Sequence, residues 1–179
     1  GLTHQCMFYP CTHEMKCWGN GVSGQLVNPQ LASAPEKKWG LSAEHWGYGM
    51  PMSDVGSKKI VKVTTAMSNT CVIFQDGTAK CWGENLSGET GVSPTSASVG
   101  LTTGFGDELP SIDMGDKIIE ISIAKESTCA LLENDSVKCW GANTASKLGR
   151  EGGSGEIVTP SEATPINFGT NLYAVHLFK

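Results

Sequence analysis

The tetrapeptide Lys-Cys-Trp-Gly occurs three times in this chain, as Lys16-Cys17-Trp18-Gly19, Lys80-Cys81-Trp82-Gly83 and Lys138-Cys139-Trp140-Gly141. Tryptophan and cysteine are scarce, five and seven in 179 residues, so a triple of this kind marks an internal repeat with a period of roughly 60 residues. A repeat of that length predicts a single domain built from three related units, because one such unit cannot bury its own apolar face alone.

Each tetrapeptide closes a β-hairpin. In the second copy, Cys71-Val72-Ile73-Phe74 and Thr78-Ala79-Lys80-Cys81-Trp82 flank the turn Gln75-Asp76-Gly77, and apolar and β-branched runs around an Asp-Gly pair are a strong hairpin signal. A three-residue loop with Gly77 left-handed pairs Phe74 with Thr78 and Ile73 with Ala79, which brings Cys71 opposite Cys81. Directly opposed residues lie close enough for a disulfide. The third copy repeats the spacing with Cys129 and Cys139 around Glu133-Asn134-Asp135, Asp135 taking the glycine's place. The first copy carries one inserted residue between Cys6 and Cys17, and Cys11 near its tip is left over, either free or joined to another chain.

Ahead of the hairpins runs a second recurring pattern. It comprises Pro51 to Gly56 followed by Ile60-Val61-Lys62-Val63-Thr64, Leu109 to Gly115 followed by Ile118 to Ile123, and Thr164 to Gly169 followed by Leu172 to Leu177. Each copy predicts two short strands separated at glycine, giving a unit of about four antiparallel strands. The domain runs over 1–179, with units at about 165–178 plus 1–27, 51–92 and 109–150, and loops at 28–50, 93–108 and 151–163. The chain opens on a hairpin and ends on strands of the kind that precede one, so pairing of 165–178 beside 4–18 would close a seam between the N- and C-terminal strands.

The 22 glycines, 39% hydrophobic residues and only 17% charged residues fit an all-β chain with many turns. A net charge of −5, with Arg150 the one arginine among 13 basic residues, argues against nucleic-acid binding. No apolar run approaches the ~20 residues of a membrane-spanning helix, so association with a membrane is expected only through a partner. Because the sequence begins at Gly1, the chain is expected to be a processed product or a fragment.

Cysteines paired across hairpins predict an oxidising, non-cytosolic setting, secreted or in an organelle lumen. A metal site from His4, Cys6, Cys11, His13 and Cys17 is the weaker alternative, since no Cys-x-x-Cys pair is present and two of these cysteines already have hairpin roles. The histidines His4, His13, His45 and His176 stand in unrelated settings, with no catalytic motif, so no enzyme and no cofactor is expected. Asn85-Leu86-Ser87 and Asn134-Asp135-Ser136 are glycosylation sequons. The insertion between Lys37 and Pro51 carries Trp39, Trp46 and Tyr48, either as partner contacts, since aromatic side chains dominate binding hot spots, or as a plug folded back over the units.

Thr128-Cys129-Ala130-Leu131-Leu132 with Val137 to Asn143, and Asp76 to Asn85, resemble the repeat of the regulator of chromosome condensation family. The resemblance covers all three units and implies a β-propeller-like fold, in which family members use four-stranded blades, usually seven, and bind proteins through inter-blade loops. Three units are too few to close a ring of that size, and a small closed ring, an open arc and half of a six-bladed dimer are the arrangements left open; other chains, a larger complex or a homo-oligomer completing the propeller, are the partners expected. The function expected is that of a non-catalytic interaction scaffold, an accessory subunit of a larger assembly. A secreted ligand-binding or enzyme-inhibiting module and a nucleotide-exchange factor of the nuclear type are the alternatives.

Overall fold

The computed structural model describes residues 1–92, 96–150, 155, 157–169, 174, 176 and 177. Three antiparallel sheets follow one another along the chain. The first holds β1 (His4–Tyr9), β2 (Glu14–Asn20) and β3 (Lys38–Trp39). The second is ordered β4 (Ile60–Ala66), β5 (Asn69–Phe74), β6 (Ala79–Glu84), β7 (Ser98–Val99), and the third β8 (Ile118–Ala124), β9 (Ser127–Leu132), β10 (Val137–Ala142), β11 (Ile157–Val158).

The hairpin registers follow from the turns. Gly77 sits at φ +85°, Phe74 N–H donates to the Thr78 carbonyl, and Ile73, Val72 and Cys71 face Ala79, Lys80 and Cys81. Asp135 takes the same left-handed place at φ +63°, and Cys129 faces Cys139. In the first sheet the inserted residue widens the loop, His13 adopts φ +61°, and Cys6 still faces Cys17. Three disulfides close across these pairs, with Cα separations of 4.1, 4.1 and 4.0 Å.

The source of the fourth strand departs from the sequence expectation. Of the two strands predicted ahead of each hairpin, only the second forms, as β4 and β8. The stretch before it makes a turn instead, in which Asp54, Asp113 and Asn167 accept from the backbone N–H of Gly56, Gly115 and Gly169. Proline at 51, 110 and 165 has no N–H for a ladder, and the Asx turn bends the chain out of the sheet. A recurring hydrogen bond then ties each stretch to the previous unit: Ser53, Ile112 and Ile166 N–H donate to the carbonyls of Met15, Ala79 and Val137. The outer strands β3, β7 and β11 come instead from the segments read as loops.

The apolar core lies between sheets rather than within them. One cluster joins Met15, Cys17, Leu26 and Val27 to Ile60, Val72, Phe74 and Trp82, and the other joins Cys71, Ile73 and Ala79 to Ile118, Leu131, Cys139 and Trp140. Each unit therefore depends on its neighbour for burial, as in other repeat architectures. Among the described residues β1 has no strand on the edge that β4 and β8 occupy in the other two sheets. The strand predicted at 172–177 falls largely outside the described residues; within it, the Leu177 N–H donates to Glu120 on β8.

Candidate functional site

The four letters of the repeated tetrapeptide are divided between the hairpins and the junctions between units. The cysteine closes its hairpin. The glycine sits at φ between +99° and +115° in the three copies, pressed against the backbone of Thr3, Ser68 or Glu126, so a Cβ there would collide with a main-chain oxygen. Those same carbonyls accept the N–H of the next residue, from Asn20, Glu84 and Ala142.

The tryptophan reaches across to the preceding unit. Trp82 Nε1 donates to the Gln25 carbonyl at 3.0 Å and Trp140 Nε1 to the Glu89 carbonyl at 3.1 Å. Each of these carbonyls also accepts a hydroxyl, from Thr70 at 2.9 Å and Thr128 at 2.8 Å, the residues that face the two tryptophans across the hairpin. Both indoles are 0% exposed, so the polar edge of a large apolar side chain is satisfied inside the core. Sequence reading missed the threonines, although Thr-Cys precedes two of the three hairpins and was the available signal.

The lysine is a backbone clamp. Lys80 Nζ is buried and donates to the Val55 and Gly106 carbonyls at 3.1 and 2.8 Å, with the Phe74 ring 5.8 Å away. Burial lowers its pKa, while the charges of Asp107 and Asp54 act in the opposite direction. Lys138 Nζ makes the equivalent bond to the Met114 carbonyl at 2.8 Å.

This chain of interlocked sheets matches solved structures along nearly all of its length. It superposes on yeast RCC1 (Prp20) bound to Kap60 with a TM-score of 0.67 at 13% identity, over 94% of this chain and 36% of that one. It superposes on Prp20p from Saccharomyces cerevisiae with a TM-score of 0.65 at 13% identity, over 94% and 37%. The fold is that of the RCC1-type β-propeller. Human WBSCR16 is similar in the same way, with a TM-score of 0.63 at 14% identity over 92% of this chain and 35% of that one. The chain thus spans little more than a third of the length of these structures. No family model matches it, and no curated protein matches it.

The three units are accordingly propeller blades, and the aromatic insertion packs on the first of them. Trp39, on β3, stacks on His45 at 4.5 Å and donates Nε1 to the His45 carbonyl at 3.1 Å. Trp46 meets Trp18 edge-on at 6.1 Å and is 47% exposed, and Tyr48 is fully exposed. The three aromatics divide into one that holds the insertion, one that covers a blade, and one that faces solvent.

The remaining candidates separate. Cys11 is an exposed free thiol at the first hairpin tip. His4 is buried with one ring nitrogen 2.8 Å from Thr70 Oγ1, and burial, its largest cause, pushes its pKa down to about 4. His13 Nδ1 lies 2.8 Å from the Ile60 carbonyl, and Cys6 and Cys17 are joined to each other, so four of the five residues weighed as a metal site have other partners. Of the two sequons, Asn85 is corrected by the structure. Its side chain is 0% exposed, donates to the Val92 and Ser96 carbonyls and accepts from Thr90, which leaves no room for a glycan. Asn134 stands exposed at the hairpin tip, its side-chain oxygen engaged by Ser136.

Proposed function

We propose that this chain is a non-catalytic scaffold, a disulfide-stapled arc of propeller blades that contributes to a larger assembly in an oxidising compartment. The observation that carries the reading is the division of labour among its distinctive residues. The motif lysines, cysteines, tryptophans and glycines are consumed by the fold, whereas Trp46 and Tyr48 stand exposed on an insertion anchored by the Trp39–His45 stack. Rigidly held aromatics offer contact area at low entropic cost. Disulfides in all three hairpins fit a secreted or lumenal setting, and Asn134 is the sequon the folded chain leaves open to a glycan. A strand from 165–178 closing the edge of β1 belongs to the same reading, as does completion of the ring by other chains.

The fold itself favours one further reading. Prp20p, one of the similar structures, has binding properties to Gsp1p and histones, and a nucleotide-exchange role for this chain would show as accelerated nucleotide release from a small GTPase.

Cross-linking of the protein in its native source tests the scaffold reading. Lys16, Lys37 and Lys38 border the insertion, and links from them to a second protein, lost in Trp46→Ala/Tyr48→Ala, are expected. Links confined to this chain would contradict it.

A further inference from the structure

β4 and β8 each carry a β-bulge at the same place. Ile60 pairs with Phe74 and Lys62 with Ile73, which leaves Val61 as an extra residue; Ile118 pairs with Leu132 and Glu120 with Leu131, which leaves Ile119. A bulge re-aims the side chain of its extra residue. Ile60 and Ile118, just before the bulges, are 1% and 2% exposed, whereas Val61 is 47% and Ile119 45% exposed. A bulge that only bent the strand would be served as well by a polar residue, and a singly exposed aliphatic needs no explanation. Here two blades turn a β-branched aliphatic outward at the equivalent position, and both side chains line one groove between the second and third blades.

The groove measures about 360 Å³, within the size range of ligand clefts. Buried Phe74 and Ile118 form its floor, and Lys62 and Lys117 line it. An adjoining recess shares Phe74 with it and adds Lys58, Lys59 and Asp76. Four lysines and one carboxylate thus line the pair, on a chain whose net charge is −5. Three of the lysines are engaged: Lys58 with Asp76 at 2.8 Å, Lys62 with Glu120 at 3.2 Å and Lys117 with Glu133 at 3.4 Å. Lys59 is exposed and makes no ion pair among the described residues. All the lining residues lie within 58–119, so the walls of the groove do not depend on either end of the chain.

We propose that this groove docks an extended segment of another protein in which a pair of aliphatic side chains is flanked by carboxylates. The aliphatics cover Val61 and Ile119, and the carboxylates meet Lys59 and the exposed sides of Lys62 and Lys117. Charge selects the occupant, because the strip is cationic on an anionic chain and complementary potential steers a partner to it. The apolar walls narrow it further, since a ligand that is only anionic would leave Val61 and Ile119 uncovered. No residue of the aromatic insertion lines the groove, so this is a contact surface separate from Trp46 and Tyr48.

Nuclear magnetic resonance titration of the isotope-labelled, oxidised chain tests it. The probe is the capped peptide Glu-Glu-Ile-Leu-Glu-Glu, with Lys-Lys-Ile-Leu-Lys-Lys and Glu-Glu-Gly-Gly-Glu-Glu as controls. Saturable shifts of the Lys59, Val61, Gly77 and Ile119 amides are expected with the first peptide alone. Val61→Ser/Ile119→Ser and Lys59→Glu, all at exposed positions, should each raise the dissociation constant about tenfold while the rest of the spectrum stays that of the folded chain. Trp46→Ala/Tyr48→Ala should bind as wild type does. Absence of shifts, shifts as large with either control, unchanged affinity in both groove variants, or loss of binding in Trp46→Ala/Tyr48→Ala would overturn the proposal. The scaffold reading is judged apart from these outcomes, by the cross-links at the insertion.

Discussion

At the scale of single residues, the repeated tryptophan does two jobs that can be separated. Its ring fills the space between sheets and its N–H joins a carbonyl of the blade before. Trp82→Phe should cost about 1 kcal/mol, the net value of one hydrogen bond plus a little packing, and Trp82→Ala about 3 to 5 kcal/mol, as for other large core truncations. Urea unfolding measures both. His4 gives a pH signature. Its pKa is lowered to about 4 from 6.5 by burial, so between those values the unfolded chain binds more protons than the folded one. Stability is then fully present above about pH 6.5 and declines as pH falls toward 4. Urea midpoints across that range should fall on acidification, and His4→Gln should flatten the trend.

Among the elements, the hairpins were legible because their determinants are local. The turn glycine or aspartate, the equal cysteine spacing and the β-branched flanks lie within a dozen residues and predict the register residue by residue. The outer strands were not. Ser98–Val99 and Ile157–Val158 are two-residue ladders whose pairing is set by the blade they lie against, and nothing in Ser-Val or Ile-Val sets them apart from a loop. The Asx turns at Asp54, Asp113 and Asn167 misled in the other direction, since an apolar residue beside proline reads as a strand until the side-chain oxygen is seen to bond two residues on. At the site, the aromatic insertion was recognisable, but the packing of Trp46 on Trp18 depends on contacts between residues far apart in sequence. The staples belong to this scale as well. Cys129→Ser/Cys139→Ser should cost about 2 to 3 kcal/mol on the loop-entropy estimate, read as a lowered urea midpoint, with the third blade losing amide protection before the second.

For the whole molecule, stability is a sum over junctions, because the two apolar clusters each straddle a pair of sheets. On the first sheet, Trp46 packs edge-on against Trp18. The likeness to RCC1-type propellers extends over little more than a third of their length. The architecture rests throughout on the tetrapeptide being a structural device whose cysteine is spent on its own hairpin. Thiol mapping by non-reducing mass spectrometry of the native protein tests that most directly. Peptides joined as Cys6–Cys17, Cys71–Cys81 and Cys129–Cys139 are expected; free thiols at Cys71, Cys81, Cys129 and Cys139, or pairings between different blades, would contradict it.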